Sequence, residues 1–153
     1  MRKFLESLLT CTATIVRALV LHPTDVGVLA LVEQAGKVLL VRHSYKGGWM
    51  LPGGAVERGE PPADAVLREL KEEIGLTHSA PPQLVGVFTR RMPFATNLIL
   101  LYRVREAVFV FQPSWEIRGI TLADPAAPPE GTTRGVRHRF LELIGEASPS
   151  PYW

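Results

Sequence analysis

Three carboxylates fall within one turn of a predicted helix, at Glu69, Glu72 and Glu73. Apolar residues recur around them at helical spacing, which predicts an amphipathic helix with the carboxylates off its apolar stripe. Like charges so close together destabilise a solvated helix by roughly 0.2–0.5 kcal/mol per pair. Hard divalent cations prefer oxygen ligands. We therefore predict a cation site in which Glu69 and Glu73 share one ion, while Glu72 reaches a second ion or a water. The alternative interpretation is a solvated acidic surface.

A glycine turn, Leu51-Pro52-Gly53-Gly54, precedes this helix. Two consecutive residues without a Cβ let the backbone approach a ligand closely. Pro61-Pro62 fits a first helical turn, and Gly75 fits the end of the helix. A carboxylate face beside such a turn suits a divalent cation and a phosphate chain, with a backbone carbonyl of Gly54, or of Gly53 beside it, as a further ligand.

The stretch from residue 54 to residue 76 resembles the Nudix box. That motif is a Gly, five residues, a Glu, seven residues, and then Arg-Glu-apolar-x-Glu-Glu-x-Gly-apolar. With ordinary residue frequencies, a match at a given start has a chance below about 10⁻⁸. Every fixed position is filled in this chain, by Gly54, Glu60, Arg68, Glu69, Leu70, Glu72, Glu73, Gly75 and Leu76.

The resemblance implies a fold, a metal and a reaction. The implied fold is an α/β/α sandwich, with a mixed sheet between the box helix and a C-terminal helix. Relatives bind Mg²⁺ or Mn²⁺ through the three box glutamates, and a pair corresponding to Arg68 and Glu60 braces the loop against the helix. The implied reaction is hydrolysis of a pyrophosphate bond in a nucleoside diphosphate linked to another moiety. ADP-ribose, a nucleotide sugar and a nucleoside triphosphate remain alternative substrates.

A further acidic residue often lies beyond the box in this family, as a metal ligand or general base. Glu116 is the candidate because it begins a predicted strand, with Glu106 and Glu130 as competitors. The alternative is an exposed carboxylate at the end of a strand. Whether this residue or a box glutamate serves as the base stays open.

Cationic residues on both sides of the box are candidates for binding phosphates. Arg42 and Lys46 precede the glycine turn, and Arg90 lies in a basic loop with Arg91. The alternative for each is solubilising surface charge. His43 is interpreted as a surface or packing residue rather than a base. Three aromatic residues could stack on a nucleobase or simply pack: Tyr45, Trp49 and Phe94.

Composition limits the class of protein. The chain has 153 residues, 46% of them hydrophobic, which predicts one globular domain over residues 1–147 and a loose tail over residues 148–153. A net charge of +2 is too small to favour nucleic-acid binding. The single cysteine, Cys11, favours a reducing compartment and packing rather than catalysis, so we expect a cytoplasmic protein.

The first 21 residues carry basic and then apolar side chains, as a signal peptide or surface anchor would. Glu6 and Arg17 interrupt the run, which is too short and too charged to span a membrane. We predict instead a helix over Lys3–Thr10 and an edge strand over Ala13–Leu21.

Hydrophobic periodicity predicts the remaining elements, with a tight turn at residues 34–36. The first two strands are nearly continuous in apolar content, so both faces of the sheet should be covered. Beyond the box helix, the prediction comprises strands at Val26–Glu33, Lys37–Arg42, Gln83–Thr89, Asn97–Val104, Val108–Phe111 and Glu116–Thr121, a polar connector at Thr77–Pro82, and a helix at Thr133–Ile144.

Other functional classes compete with a hydrolase. A nucleotide-sensing binding module of the same fold usually lacks box carboxylates, whereas this box is complete. A related metal-dependent isomerase needs a catalytic cysteine, but Cys11 lies far from the box in sequence. Pro93 stands roughly where ADP-ribose-cleaving relatives carry a proline, and it could equally be a loop proline. A small-molecule nucleotide is the expected partner, without a membrane, and a homodimer is common among relatives.

Overall fold

A computed structural model describes residues 24–92 and 95–153 of the chain. The predictions for Lys3–Thr10, Ala13–Leu21, Cys11, Pro93 and Phe94 concern residues outside these ranges. The elements are β1 (Thr24–Gln34), β2 (Lys37–His43), α1 (Pro62–Ile74), β3 (Leu76–His78), β4 (Gln83–Arg91), β5 (Thr96–Val104), β6 (Val108–Phe109), β7 (Ile117–Ala123) and α2 (Arg134–Leu143).

The main sheet has the strand order β4-β5-β1-β2-β7. β1 and β5 run parallel, whereas the other neighbouring strands run antiparallel. The predicted β1–β2 hairpin is confirmed, and its turn residues Ala35 and Gly36 have φ values of 48° and 76°. Such left-handed conformations at both central positions suit the twist of a two-residue hairpin turn.

The glycine turn is built into this sheet. β1 and β2 pair at the hairpin end, and farther along the segment of residues 50–56 lies between them. The amide of Val28 donates to the carbonyl of Gly54 at 2.9 Å, and the amide of Ala30 donates to the carbonyl of Pro52 at 2.9 Å. On the other side, Val41 and Met50 exchange hydrogen bonds of 2.8 and 3.0 Å.

The central strands β1 and β2 are covered on both faces, as their apolar content predicts. Alternate residues of β1 point in opposite directions: Val28 and Val32 belong to the core under α1, whereas Leu31 belongs to the core under α2. Phe140 of α2 is buried in this second core. The predicted α/β/α arrangement, a mixed sheet between two helices, is therefore confirmed.

Two predictions differ from the structure: the polar connector at Thr77–Pro82 and the loose tail at residues 148–153. The connector after the box helix contains β3, which pairs with β6, because Leu76 continues the first core at its edge.

Residues 148–153 are not a loose tail in this structure. The amide of Thr89 donates to the carbonyl of Pro151 at 2.9 Å, and the amide of Trp153 donates back to Thr89 at 3.1 Å. The ring of Trp153 packs edge-on against Phe88, with 5.8 Å between ring centroids. Aromatic packing and strand-like pairing hold this segment against β4, which its Ser- and Pro-rich composition did not indicate.

Within residues 24–92 and 95–153, no helix has both the length and the apolar character required to cross a membrane.

Candidate active site

Helix α1 and the glycine turn bring the box glutamates together. Prolines in the first turn start the helix without losing an intrahelical hydrogen bond. Gly75 ends it in the left-handed region, with φ of 69°, and its amide donates to carbonyls of the last turn. The apolar side of α1 lies on the sheet, so the opposite side can present carboxylates toward the turn.

Glu73 is the most deeply placed carboxylate of the box. It is only 5% exposed, since it lies next to the buried Ile74 on the helix. One carboxylate oxygen accepts a hydrogen bond of 2.8 Å from the amide of Gly53, and the other lies 3.4 Å from Nε2 of His43. Burial raises the pKa of Glu73 to about 8, although the Gly53 hydrogen bond opposes the rise.

Gly53 must be a glycine in this arrangement. Its φ is 139°, and a Cβ at this position would lie 2.1 Å from the carbonyl oxygen of Val28. Gly54 is constrained less strictly, because an added Cβ would lie 2.5 Å from the carboxylate carbon of Glu69, a side chain that could move aside. The turn therefore approaches β1 too closely for a larger residue at Gly53, and a larger residue at Gly54 would displace the carboxylate of Glu69.

Arg68 joins the loop before α1 to the helix itself, as the resemblance implies for Arg68 and Glu60. Its guanidinium donates to both carboxylate oxygens of Glu60, at 2.9 and 3.0 Å, and to the carbonyl of Ala55 at 3.0 Å. It also contacts Glu69 at 2.8 Å and Glu72 at 3.6 Å. The hydrogen bond from Arg68 lowers the pKa of Glu60, and Glu60 in turn raises the pKa of Arg68.

Glu69 and Glu72 differ in exposure. The side chain of Glu69 is 14% exposed and that of Glu72 is 60% exposed. Burial raises the pKa of Glu69, although the Arg68 hydrogen bond opposes the shift. One oxygen of Glu69 therefore already accepts a hydrogen bond from Arg68, whereas Glu72 faces solvent.

His43 belongs to the site, which the sequence interpretation missed. The side chain is buried, and its Nδ1 lies 3.9 Å from Glu116, on the side away from Glu73. Burial is the main cause that lowers the pKa of His43, and Lys46 adds to it. A signal was available: His43 follows the buried Leu39 and Val41 at strand spacing, so it points to the same sheet face as α1.

Glu116 lies beside this histidine, just before β7 begins. The hydroxyl of Tyr45 donates to Glu116 at 2.8 Å, and this hydrogen bond is the main cause that raises the pKa of Tyr45 to about 12. The competing residues Glu106 and Glu130 are exposed. A chain of contacts therefore runs from Glu73 through His43 to Glu116 and Tyr45.

The cationic candidates line two neighbouring cavities. Arg42 and Lys46 border one of about 530 Å³, where Arg42 also lies over the ring of Trp49 at 5.9 Å. Lys46 and Arg90 border a second of about 760 Å³, beside α2. Arg91 turns away to the tail instead, where it donates to the hydroxyl of Tyr152 at 3.2 Å.

The donor set fits a divalent cation that is completed by its substrate. Among residues 24–92 and 95–153, no group of three His, Cys, Asp or Glu side chains forms a ready-made metal site. Mg²⁺ commonly takes one or two carboxylates and completes its shell with water and phosphate oxygens. The carbonyl of Gly54, which accepts from Val28, retains a second lone pair. Glu69, Glu72 and Glu73 supply carboxylate oxygens on the adjoining helix.

Comparison with known proteins is consistent with this geometry. An ADP-ribose pyrophosphatase of Methanocaldococcus jannaschii is 43% identical over 74 residues, which cover 46% of this chain and 43% of that protein. An RNA pyrophosphohydrolase of Acidiphilium cryptum is 39% identical over 80 residues, covering 40% of this chain and 49% of that protein. The matched regions span less than half the length of either relative.

A solved structure shares the fold over a longer stretch. The crystal structure of a MutT NUDIX hydrolase from Burkholderia pseudomallei superposes with a TM-score of 0.70 at 23% identity, covering 79% of this chain and 98% of that one. The NUDIX domain model matches residues 21–143. Since that match covers most of the chain and includes the complete box, this chain belongs to the NUDIX domain family.

Proposed function

We propose that the chain is a metal-dependent pyrophosphohydrolase that cleaves a nucleoside diphosphate linked to another moiety. The observation that carries the proposal is Glu73: a buried carboxylate, hydrogen-bonded to the glycine turn, inside a complete box. Burying a carboxylate is costly unless it is compensated by a partner. A buried carboxylate beside two further carboxylates is consistent with a site whose negative charge is neutralised when a cation binds together with the substrate.

The box carboxylates would hold Mg²⁺ or Mn²⁺, with the carbonyl of Gly54 as a further ligand. When bound, the ion supplies Lewis acidity toward phosphate oxygens and water, and it offsets the negative charge of the pyrophosphate. Arg68 and Glu60 keep Glu69 in place through the hydrogen bonds described above.

The other residues of the site would bind substrate and move a proton. Arg42, Lys46 and Arg90 would attract and orient the phosphates. Glu116, held by Tyr45, and Glu73 are the two candidate bases. The base takes a proton from water, the water oxygen bonds to one phosphorus, and the bond from that phosphorus to the bridging oxygen breaks. A nucleoside monophosphate and a phosphorylated second product leave, or pyrophosphate when the substrate is a triphosphate.

The box supplies the reaction, whereas the residues of the loops decide which substrate is bound. The names of the two relatives support ADP-ribose and an RNA with a pyrophosphate bond as candidates, beside the nucleotide sugars and nucleoside triphosphates expected from the resemblance. The RNA candidate runs against the expectation from net charge that nucleic acid is not a partner. A panel of these compounds, assayed with Mg²⁺ and with Mn²⁺, is the direct test.

The test variant is Glu73→Gln, which keeps an oxygen that can accept from Gly53 but loses the charge. We expect metal-dependent hydrolysis to fall at least about 100-fold while the protein stays folded. A folded variant with unchanged turnover would contradict the role of Glu73. Tight nucleotide binding by the wild-type protein without any turnover across the panel would instead support the nucleotide-sensing module.

A further inference from the structure

The cavity beside α2, here called the α2 cleft, connects the glycine turn with the tail. At one end it is lined by Gly53 and His43, which both contact Glu73. Among the described residues that line it there is no carboxylate. Cations and aromatic rings contribute instead, from Lys46, Arg90, Arg134, Arg137, Tyr152 and Trp153. This combination suits an anion that carries an aromatic group.

The tail reaches the α2 cleft because a buried arginine holds its main chain. Arg139 is 2% exposed, and its guanidinium donates to the carbonyls of Ser150 and Tyr152 at 3.1 and 3.2 Å. It also pairs with Glu142 at 2.9 Å and lies 4.3 Å from the centroid of the Phe88 ring. A buried charge with this many partners fixes the path of the segment firmly.

Arg139 binds the main chain of Tyr152 and not its side chain. The tail is held by main-chain groups and by Trp153, whereas Tyr152 remains 49% exposed and borders the α2 cleft. Arg91 orients the ring: its guanidinium lies 5.0 Å from the ring centroid and donates to the hydroxyl. An exposed aromatic ring held in one orientation loses little entropy when a flat ligand packs on it.

We infer that Tyr152 is a specificity-determining residue that stacks on the nucleobase of the substrate. The inference rests on the proposed function and deepens it, because it assigns the nucleoside half to the α2 cleft and the phosphates to the end near Gly53. A nucleobase presents a π-face whatever its identity, so this contact favours nucleoside compounds over inorganic diphosphates without selecting one base.

The experiment compares two ligands that resist hydrolysis. α,β-Methylene-ADP carries a nucleobase, whereas methylenediphosphonate presents a similar diphosphate group without one. Their Kd values are measured by calorimetry with Mg²⁺ on the full chain. We expect the wild-type protein to prefer the nucleotide, and Tyr152→Ala to reduce that preference about tenfold, which corresponds to about 1.4 kcal/mol. The Kd of methylenediphosphonate should stay within about twofold.

Three further variants serve as controls. Tyr152→Phe keeps the ring and should restore the preference, whereas Tyr152→Leu keeps apolar bulk without a flat face and should not. Val110→Ala truncates a residue that is 65% exposed and lines neither cavity, so it should change nothing. If Tyr152→Ala does not fold, Tyr152→Leu takes its place, because the tail is anchored by its main chain.

Two results would overturn the inference: a wild-type protein without preference for the nucleotide, or a preference that survives in both Tyr152→Ala and Tyr152→Leu. Neither result bears on hydrolysis, which the substrate panel tests separately. An absence of hydrolysis would count against the proposed function and would leave the stacking measurement valid.

Discussion

At the scale of single residues, Glu73 makes stability depend on pH. Its pKa is about 8 in the folded protein, well above the ordinary value of 4.5. Between these two values the folded state binds more protons than the unfolded state, so the stabilising effect of the protonated form is present at low pH and is lost as the pH rises toward 8. The lowered pKa of His43 has the opposite effect, because it makes the stability of the folded state rise with pH.

The difference between wild type and Glu73→Gln isolates this contribution. In chelator-treated protein, we expect the free energy of unfolding of wild type, relative to the variant, to fall by up to about 1.4 kcal/mol per pH unit between about pH 5 and 7.5. Urea denaturation at several pH values measures it. Parallel pH profiles for the two proteins would contradict the raised pKa.

Arg68 gives a second prediction at this scale. Lysine keeps the positive charge but cannot donate to both oxygens of Glu60 while also reaching Glu69 and the carbonyl of Ala55. We expect Arg68→Lys to raise the Mg²⁺ concentration needed for half-maximal activity by about 10–100-fold, the usual cost of losing a group that orients ligands. Metal titration of initial rates is the measurement.

Arg58→Lys is the matched control, because Arg58 is an exposed residue of the same loop. It should leave the metal requirement unchanged. A normal metal requirement in Arg68→Lys would mean that the arginine braces the loop without orienting Glu69.

At the scale of elements, the glycine turn depends on how closely it lies against β1. Gly53→Ala places a methyl group against the carbonyl of Val28 and forces a residue with a side chain to a φ of 139°. We expect the variant to lose at least about 1–3 kcal/mol of stability, the usual cost of a strained backbone conformation. Thermal unfolding of the chelator-treated protein measures it.

Gly119→Ala is the control for stability, because an added Cβ at Gly119 meets no atom within 4 Å. It should unfold at the wild-type temperature. Equal stability of the two variants would show that the turn can move away from β1 at little cost.

At the scale of the whole molecule, most of the described strands and helices followed from local patterns, whereas β3 and the contacts of the tail did not. Nearly continuous apolar runs located β1 and β2, because successive side chains of a strand point into opposite cores. The box indicated that Arg68, Glu69 and Glu73 lie on one helix, which fixes their spacing, and that Glu60 lies in the loop before it.

The parts that sequence reasoning missed depend on long-range packing. The burial of Arg139 and the docking of Trp153 require α2 and β4 to meet, which no local pattern encodes. His43 is an intermediate case. Strand alternation indicates the direction of its side chain, but its neighbours Glu73 and Glu116 come from distant parts of the chain, which no local pattern brings together.

The insertion of residues 50–56 between β1 and β2 limits where this chain can change. Because its amides and carbonyls complete the ladder of a central strand, the reactive end of the site can loosen only when the sheet itself comes apart. Changes of sequence should therefore be tolerated better at the opposite wall, formed by α2 and the tail, than in the glycine turn.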